Sequence, residues 1–440
     1  MKTVNSIPKS KLSRASQLVT TGAKVGKNYL NYYKDKITKS EEDAREKLNE
    51  SNAEDIYDGL SNLKGSALKV AQMLSMEKSI LPQQYVDKFS LAQFSVPPLS
   101  APLVNKTFKN YFGKFPSEIY DEFNAQSVNA ASIGQVHKAK KDGKELAVKI
   151  QYPGVADSVS SDLAFVKPIA IRMFNLQGKD SDRYFKEVEN KLLEETDYIL
   201  EVEQSIEVSE KCAHINHLKF PIYYPELSSD RIITMDWMHG KHLSEFAAEN
   251  TDKDLANQIG QALWNFYMFQ IHTLRKVHAD PHPGNFLVST EGDLIALDFG
   301  CMKQIPDEFY TPYFELIRPE NIDNPDIFNQ KMFELEILRE DDSPEELAFF
   351  SKLFHEMISL FSTPFKHEQF DFADDVFFNQ IYELGDKYGK SREIKKFNGN
   401  RGSQHFIYMN RAFFGLYSLL HDIKASRVHI KEFVPAEFVH

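Results

Sequence analysis

The run from His278 to Phe286, HADPHPGNF, followed by LDFG at Leu297 to Gly300, restricts the fold more than any other stretch of this chain. Asp280 and Asn285 fall in one short loop punctuated by Pro281, Pro283 and Gly284. Those residues break helix and strand alike, so the backbone must turn there and hold polar side chains outward. Phe286 to Val288, a turn at Ser289 to Asp293, and Leu294 to Leu297 then predict a small hairpin whose second strand delivers Asp298. A carboxylate ahead of a loop Asn, with a second carboxylate on the next strand, is what metal-assisted phosphoryl transfer requires. One Asp orients the nucleophile, while Asn and the second Asp hold Mg2+ against nucleotide phosphates. The plainer reading, a polar turn before an N-capped helix, accounts for less of the order and spacing.

With 440 residues there is room for a two-lobed domain and extensions. A net charge of -12 argues against nucleic acid as the main partner, because phosphate binding wants a basic face. Cys212 and Cys301 are too few for a disulfide framework or a zinc site, so a reducing compartment is expected. Cys301 directly follows the DFG and reads as a small buried side chain. No apolar run approaches the ~20 residues a membrane span requires. The start, MKTVNSIPKSKLSRAS, lacks a secretory apolar core. The expectation is a soluble, cytoplasmic protein, or one peripheral to the inner face of a membrane.

The first forty residues are basic, with Val19, Tyr29, Leu30 and Tyr33 among the lysines. Such a segment can lie on an anionic membrane, serve as a solubilising arm, or pack on the protein's own acidic body. Ser40 to Asn52 reads as an exposed helix or linker, and Asp55 to Met76 as a helix with a core stripe. A second stripe on that helix carries Lys69, Gln72, Met73 and Met76. Short helices follow among the prolines, the last at Val104 to Phe112, and from Glu118 the texture is that of strands, beginning with Ile119 to Phe123. SVNAASIGQVHKAK and ELAVKIQY flank a Lys141 to Lys144 turn and form a hairpin that sets Lys149 on a strand among apolar neighbours. A lysine there is costly unless paired, so a carboxylate and a phosphate are its natural partners. One long helix is expected from about Asp182 to Cys212. On it Asp197 and Glu201 share a face and Glu195 points elsewhere, making Glu201 the candidate partner of Lys149. Strand Arg231 to Met235 then runs into Asp236-Trp237-Met238-His239-Gly240, which suggests a hinge, and an apolar helix from Leu255 to Leu274 leads to the catalytic loop.

These motifs together resemble the UbiB/ADCK (AarF) family of atypical, protein-kinase-like proteins linked to ubiquinone and isoprenoid-lipid biology. The matching stretches are NAASIGQVH, LAVKIQYPGV, ETDYILE, HADPHPGN and DFG, in the family's order between about Lys69 and Lys303. The resemblance implies that Lys149 contacts nucleotide phosphates and pairs with Glu201, that Asp280 takes the catalytic carboxylate position, and that Asn285 and Asp298 bind Mg2+. It sets Ala130, Ala131 and Ser132 where protein kinases carry a glycine-rich phosphate loop, and alanines make that loop stiffer. Asp236 and Met238 in the hinge join the ATP-binding set. The family's Lys-x-Gly-Gln signature reads Lys69-Val70-Ala71-Gln72 here. In the family this helix folds over the nucleotide site and its Lys meets the Glu that Glu195 represents. An extra methyl at Ala71 either pushes the helix outward or stabilises it by up to ~1 kcal/mol.

The expected architecture is α+β, a two-lobed protein-kinase-like fold with an N-terminal helical extension. Residues 1–52 form the basic arm and charged linker, 53–115 the extension, 116–239 the N-lobe, and 240–440 a mostly helical C-lobe. The expected function is Mg-ATP binding with ATPase or small-molecule phosphotransferase activity serving quinone or isoprenoid-lipid metabolism, with a lipid or quinone precursor as a second ligand. A protein kinase is the first alternative, disfavoured by HADPHPGN in place of HRDLxxxN and by the absence of APE after DFG. A non-catalytic nucleotide-binding scaffold is the second, disfavoured because every ionisable group that catalysis needs is present.

Overall fold

In the computed structural model of this chain the described residues are 11–63, 84–85, 88, 98–130, 133–174, 179–389, 397 and 401–438. They divide into two units. One runs up to Val202 and takes in Ile222–Trp237; the other holds Glu203–Pro221 and the chain from Met238 onward.

The first unit opens with two helices, α1 (Lys11–Thr38) and α2 (Glu41–Leu63). Of the two readings of Ser40 to Asn52, an exposed helix or a linker, the helix is the one found, and α2 runs unbroken through it with one face buried. Ala44, Leu48, Ala53, Ile56, Leu60 and Leu63 are buried, a helical stripe that begins well before Asp55. Charged side chains on the other face of α2 had masked that stripe. The two helices pack together, and the Asn28 amide donates to Asn52 (3.2 Å) and Asp55 (2.8 Å) on α2. Helix α3 (Ala101–Phe112) ends at Gly113, whose φ of 67° supplies a left-handed cap.

A five-stranded sheet follows. Strands β1 (Glu122–Phe123), β2 (Asn129–Ala130), β3 (Gly134–Lys141) and β4 (Lys144–Gln151) come in sequence. β3 pairs antiparallel with β1, β2 and β4. The expected strand from Ile119 is shorter, because Pro116–Glu118 forms a tight turn and the Tyr120 amide donates to Pro116. β3 and β4 meet at Asp142-Gly143, both at positive φ, as a two-residue hairpin demands. Helices α4 (Val155–Phe174), α5 (Lys179–Glu195) and α6 (Tyr198–Cys212) come next. The single long helix expected from Asp182 is therefore two. Asp197 accepts the Leu200 amide at 3.1 Å and so caps α6 as a new helix. After β5 (Leu218–Lys219) in the second unit, the chain returns as β6 (Ile232–Asp236), antiparallel to β4.

In the second unit β7 (Lys241–His242) and the short α7 (Leu243–Glu249) precede α8 (Lys253–Phe269), capped by the Asp252 carboxylate. A π-helical turn, Gln270–Leu274, ends α8. Then β8 (Lys276–His278), β9 (Phe286–Val288), β10 (Leu294–Ala296) and β11 (Met302–Gln304) make two small sheets, β5-β10-β9-β7 and β8-β11. Helices α9 (Asp307–Leu316), α10 (Pro319–Ile322), α11 (Pro325–Glu334), α12 (Pro344–Phe361), α13 (Asp375–Gly389) and α14 (Gln404–Asp422) complete it. Trp264, Phe266, Tyr267, Phe286, Phe299, Phe314 and Tyr417 are fully buried at its core. No helix among the described residues is long and apolar enough to cross a membrane.

Candidate functional site

In the first unit the candidate residues begin on β4. Val148 and Ile150 are fully buried, and Lys149 between them presents its side chain to the opposite face of the strand. Its Nζ lies 2.6 Å from Glu201 Oε1, with 18% and 5% of the two side chains exposed. The Tyr198 ring, one turn before Glu201 on α6, sits 5.1 Å from the same Nζ. What fixes Glu201 is the junction between α5 and α6. The Thr196 carbonyl accepts from Gln151 at the end of β4 (3.0 Å) and from Arg231 (2.9 Å), stapling the start of α6 to the sheet. Gly134 lies where a Cβ would come 2.9 Å from the Tyr198 hydroxyl and 2.7 Å from the Ile150 carbonyl, so only glycine fits.

The remaining residues expected in this unit divide three ways. Glu195 is buried at the last position of α5, and its separation from Glu201 comes from the helix break, not from helical phase. Asp236 ends β6, where its carboxylate accepts from the Tyr224 hydroxyl (2.7 Å) and the Ile222 amide (3.2 Å), so both oxygens are already engaged within the unit. Ala130 is in β2, while Ala131, Ser132, Lys69 and Gln72 lie outside the described residues. Met238, half-buried, is the first residue of the second unit.

The second unit carries the loop. Gln270 in the π-helical turn accepts the His278 amide at 2.9 Å, and the Ala279 amide donates to the Cys301 carbonyl at 2.9 Å. With His278 opposite Met302 in the β8-β11 pair, Asp280 and the DFG stretch leave one short ladder together. Within the loop, the Asp280 carbonyl accepts from the His282 amide (2.8 Å) and the Asn285 side-chain amide (3.0 Å). The Asn285 carbonyl in turn accepts from Leu297 at 3.0 Å, tying the loop to the strand end that precedes Asp298. Asp298 Oδ1 accepts the Gly300 amide at 2.9 Å, and Asp280, Asn285 and Asp298 all remain half-buried. The expected hairpin between β9 and β10 is present, with Leu294 opposite Val288.

Asn285 donates through its nitrogen, which leaves the amide oxygen for a cation, and Asp298 adds a carboxylate. Hard oxygen donors of this kind suit Mg2+. Among the described residues no three His, Cys, Asp or Glu gather around one point.

Two residues supporting the loop escaped the sequence reading. Tyr267 of α8 is wholly buried, and burial first, then the Asp280 charge, push its hydroxyl well above the usual range. It reads in the sequence as one more core aromatic. Gly415 of α14 lies under Pro281, where a Cβ would come within 2.0 Å of the ring. Tyr198, by contrast, had a usable signal: it stands three residues before Glu201 in ETDYILE, on one helical face.

A family model described as the ABC1 atypical kinase-like domain matches residues 91–323, more than half of the 440. The probable serine/threonine-protein kinase abkA of Dictyostelium discoideum is 29% identical over 61% of this chain and 50% of its own length. The mitochondrial atypical kinase coq-8 of Caenorhabditis elegans is 30% identical over 62% of this chain and 37% of its own. The chain thus spans half or less of the length of these two relatives. Rv3197 of Mycobacterium tuberculosis, solved as a complex with erythromycin, has the same fold, with a TM-score of 0.60 at 24% identity over 90% of this chain and 97% of that one. With a family model spanning the loop, the DFG and the Lys149 strand alike, the chain belongs to the ABC1 atypical kinase-like family, also called UbiB/ADCK or AarF, and has its α+β, protein-kinase-like fold.

Proposed function

We propose that this protein binds Mg-ATP and acts as an ATPase or a phosphotransferase on a small molecule or lipid, in support of quinone or isoprenoid-lipid metabolism. The Lys149–Glu201 contact carries the reading: a lysine held at 2.6 Å by a nearly buried carboxylate is a costly arrangement that a nucleotide phosphate would repay. In this reading Lys149 binds the phosphates and Glu201 holds it in place. Asp280 orients the acceptor hydroxyl or water and takes its proton. Asn285 and Asp298 would hold Mg2+, which supplies neutralisation of developing phosphate charge. Family membership supports a phosphotransferase of general class, and the similarity to coq-8, an atypical kinase, supports the same class. The exposed basic helix α1 adds peripheral contact with an anionic membrane surface.

Phosphate release from ATP by the purified protein, with and without anionic liposomes and quinone precursors, tests the proposal. Turnover that rises with either addition is expected. Asp298→Asn should remove a charged Mg2+ ligand and abolish both the turnover and the Mg-ATP-dependent rise in melting temperature. A wild type with no nucleotide-dependent shift, or an Asp298→Asn variant with an unchanged one, would defeat the assignment.

A further inference from the structure

Beside the Lys149 strand the first unit contains a buried chain of polar groups that the site described above does not use. The Leu99 amide donates to Gln135 Oε1 at 2.6 Å. Gln135 Nε2 lies 2.7 Å from His137 Nε2, and His137 Nδ1 lies 2.8 Å from the Asn124 carbonyl. A carbonyl only accepts, so Nδ1 carries the imidazole proton and Nε2 accepts from the Gln135 amide. The directions are then all fixed: Leu99 to Gln135, Gln135 to His137, His137 to Asn124. Gln135 is 1% exposed and His137 0%, and Phe123 stacks on the imidazole with ring centroids 5.1 Å apart. Burial also favours the neutral imidazole that this arrangement needs.

An apolar pair of similar size would fill the same space without desolvating an amide and a ring. What the polar chain adds is direction, and its end points are informative. Gln135 stands opposite Ala130 in the β2-β3 ladder, one residue past Gly134. Asn124 begins the segment that leads into β2, whose entry is held by the Val128 amide on Val136. Leu99 belongs to neither strand; it precedes Ser100, the N-cap of α3. One hydrogen-bonded chain therefore joins β3 to the segment that leads into β2 and to Leu99 of the N-terminal helical extension.

We propose that Gln135 and His137 are positioning residues for nucleotide binding, holding β2 and β3 in register and coupling them to the extension through Leu99. The inference rests on the nucleotide-binding reading. Coupling is reciprocal, so a nucleotide that settles those strands must also steady the Leu99 amide. A merely structural role for the pair has no such consequence.

Amide hydrogen exchange on the full-length protein, with and without saturating Mg-ATP, reads this directly. In the wild type, Mg-ATP should slow exchange at Ala130 and Gly134 and also at Leu99. Gln135→Met keeps the volume and removes the chain. It should lose the nucleotide-dependent protection at Leu99 and raise the Mg-ATP Kd about fivefold or more, the lower end of coupling between sites. His137→Phe keeps a ring against Phe123 and should behave alike, and the double variant should be little worse than either. His137→Phe also serves where Gln135→Met is unfolded, a state recognised by fast exchange throughout α6. Nucleotide protection at Ala130 with none at Leu99 would overturn the coupling and leave nucleotide binding standing. So would variants that bind Mg-ATP as tightly as the wild type. No protection at either place, with no measurable Kd, would overturn both.

Discussion

Lys149 and Glu201 meet across 52 positions of sequence, and neither is comfortable without the other. Removing one partner of a nearly buried pair costs about 3–5 kcal/mol, because the survivor keeps its charge and loses its counterpart. Lys149→Met and Glu201→Gln should therefore each weaken Mg-ATP binding, and the double variant should be far from additive. A double-mutant cycle with a coupling below about 0.5 kcal/mol would show that the two do not act as a pair. The pairing was legible because a strand lysine among apolar neighbours asks for a carboxylate, and Glu201 was the carboxylate with the right motif around it. Gln135 and His137 were not legible. A Gln and a His two apart on a strand look like any half-polar pattern, and only the fold shows that Leu99 and Asn124 complete the chain. His272 was hidden in the same way. It is buried in the π-helical turn, with Nδ1 2.7 Å from the Tyr310 hydroxyl, and burial, aided by Arg275, lowers its pKa to about 3. The unfolded chain takes up that proton near pH 6.5 while the folded one refuses it. Stability from this group is therefore complete above pH 6.5 and is lost as the pH falls toward 3, by up to ~1.4 kcal/mol per unit. His272→Gln should flatten that part of the wild-type slope in urea unfolding between pH 7 and 5. Equal slopes would sink the argument.

At the scale of elements, periodicity found what repeats and missed what interrupts. The β3-β4 and β9-β10 hairpins were readable because alternating apolar residues flank turn-forming residues on both sides. The gap between α5 and α6 was not, because Glu194 to Leu200 has no Gly or Pro to announce a stop. It is the Thr196 carbonyl, claimed by Gln151 and Arg231 in place of a continuing helix, that ends one helix and lets Asp197 cap the next. Contacts of that kind are tertiary, and local sequence does not contain them. Helix α14 shows the same limit from another side. Gly415 costs a helix interior up to ~1 kcal/mol, and its reason is the ring of Pro281 lying where a side chain would go. Gly415→Ala should improve the intrinsic propensity of α14 and still harm the protein, since the methyl must displace the loop that carries Asp280 and Asn285. The expected outcome is a melting temperature within a few degrees of wild type and a Mg-ATP affinity reduced about tenfold or more, read by thermal shift and nucleotide titration. Unchanged affinity would mean that the loop yields without moving its polar side chains.

For the whole molecule, the sequence set a hinge at Asp236 to Gly240, and the two units part between Trp237 and Met238. Its separation of a basic arm from the rest stands differently, because α1 is packed on α2 and touches α4. Of the three roles open to that segment, packing on the protein's own body is therefore observed for one face. Deleting the first forty residues would remove the contacts of Asn28 with Asn52 and Asp55 and of Thr21 with Gly59 on α2, so loss of function in a truncated protein would say nothing about membranes. The other face of α1 is the informative one. Val19, Leu30 and Tyr33 are 64%, 66% and 64% exposed, and together with Ala23, Lys27 and Lys34 they recur at helical spacing along one side. Lys24 and Lys36 reach Asp55 and Glu41, while Lys27 and Lys34 are exposed on that side. An apolar stripe edged by lysines is suited to the headgroup boundary of an anionic bilayer, where each lysine contributes about 1 kcal/mol. Leu30→Ser with Tyr33→Ser, and separately Lys27→Glu with Lys34→Glu, leave the α2-facing Thr21 and Asn28 untouched. Both pairs should keep the wild-type urea midpoint and Mg-ATP affinity while lowering co-sedimentation with phosphatidylserine liposomes. The lysine pair should in addition lose most of the salt dependence of binding. Co-sedimentation equal to wild type in both pairs would exclude α1 as the anchor and leave its exposed face without a role at a membrane.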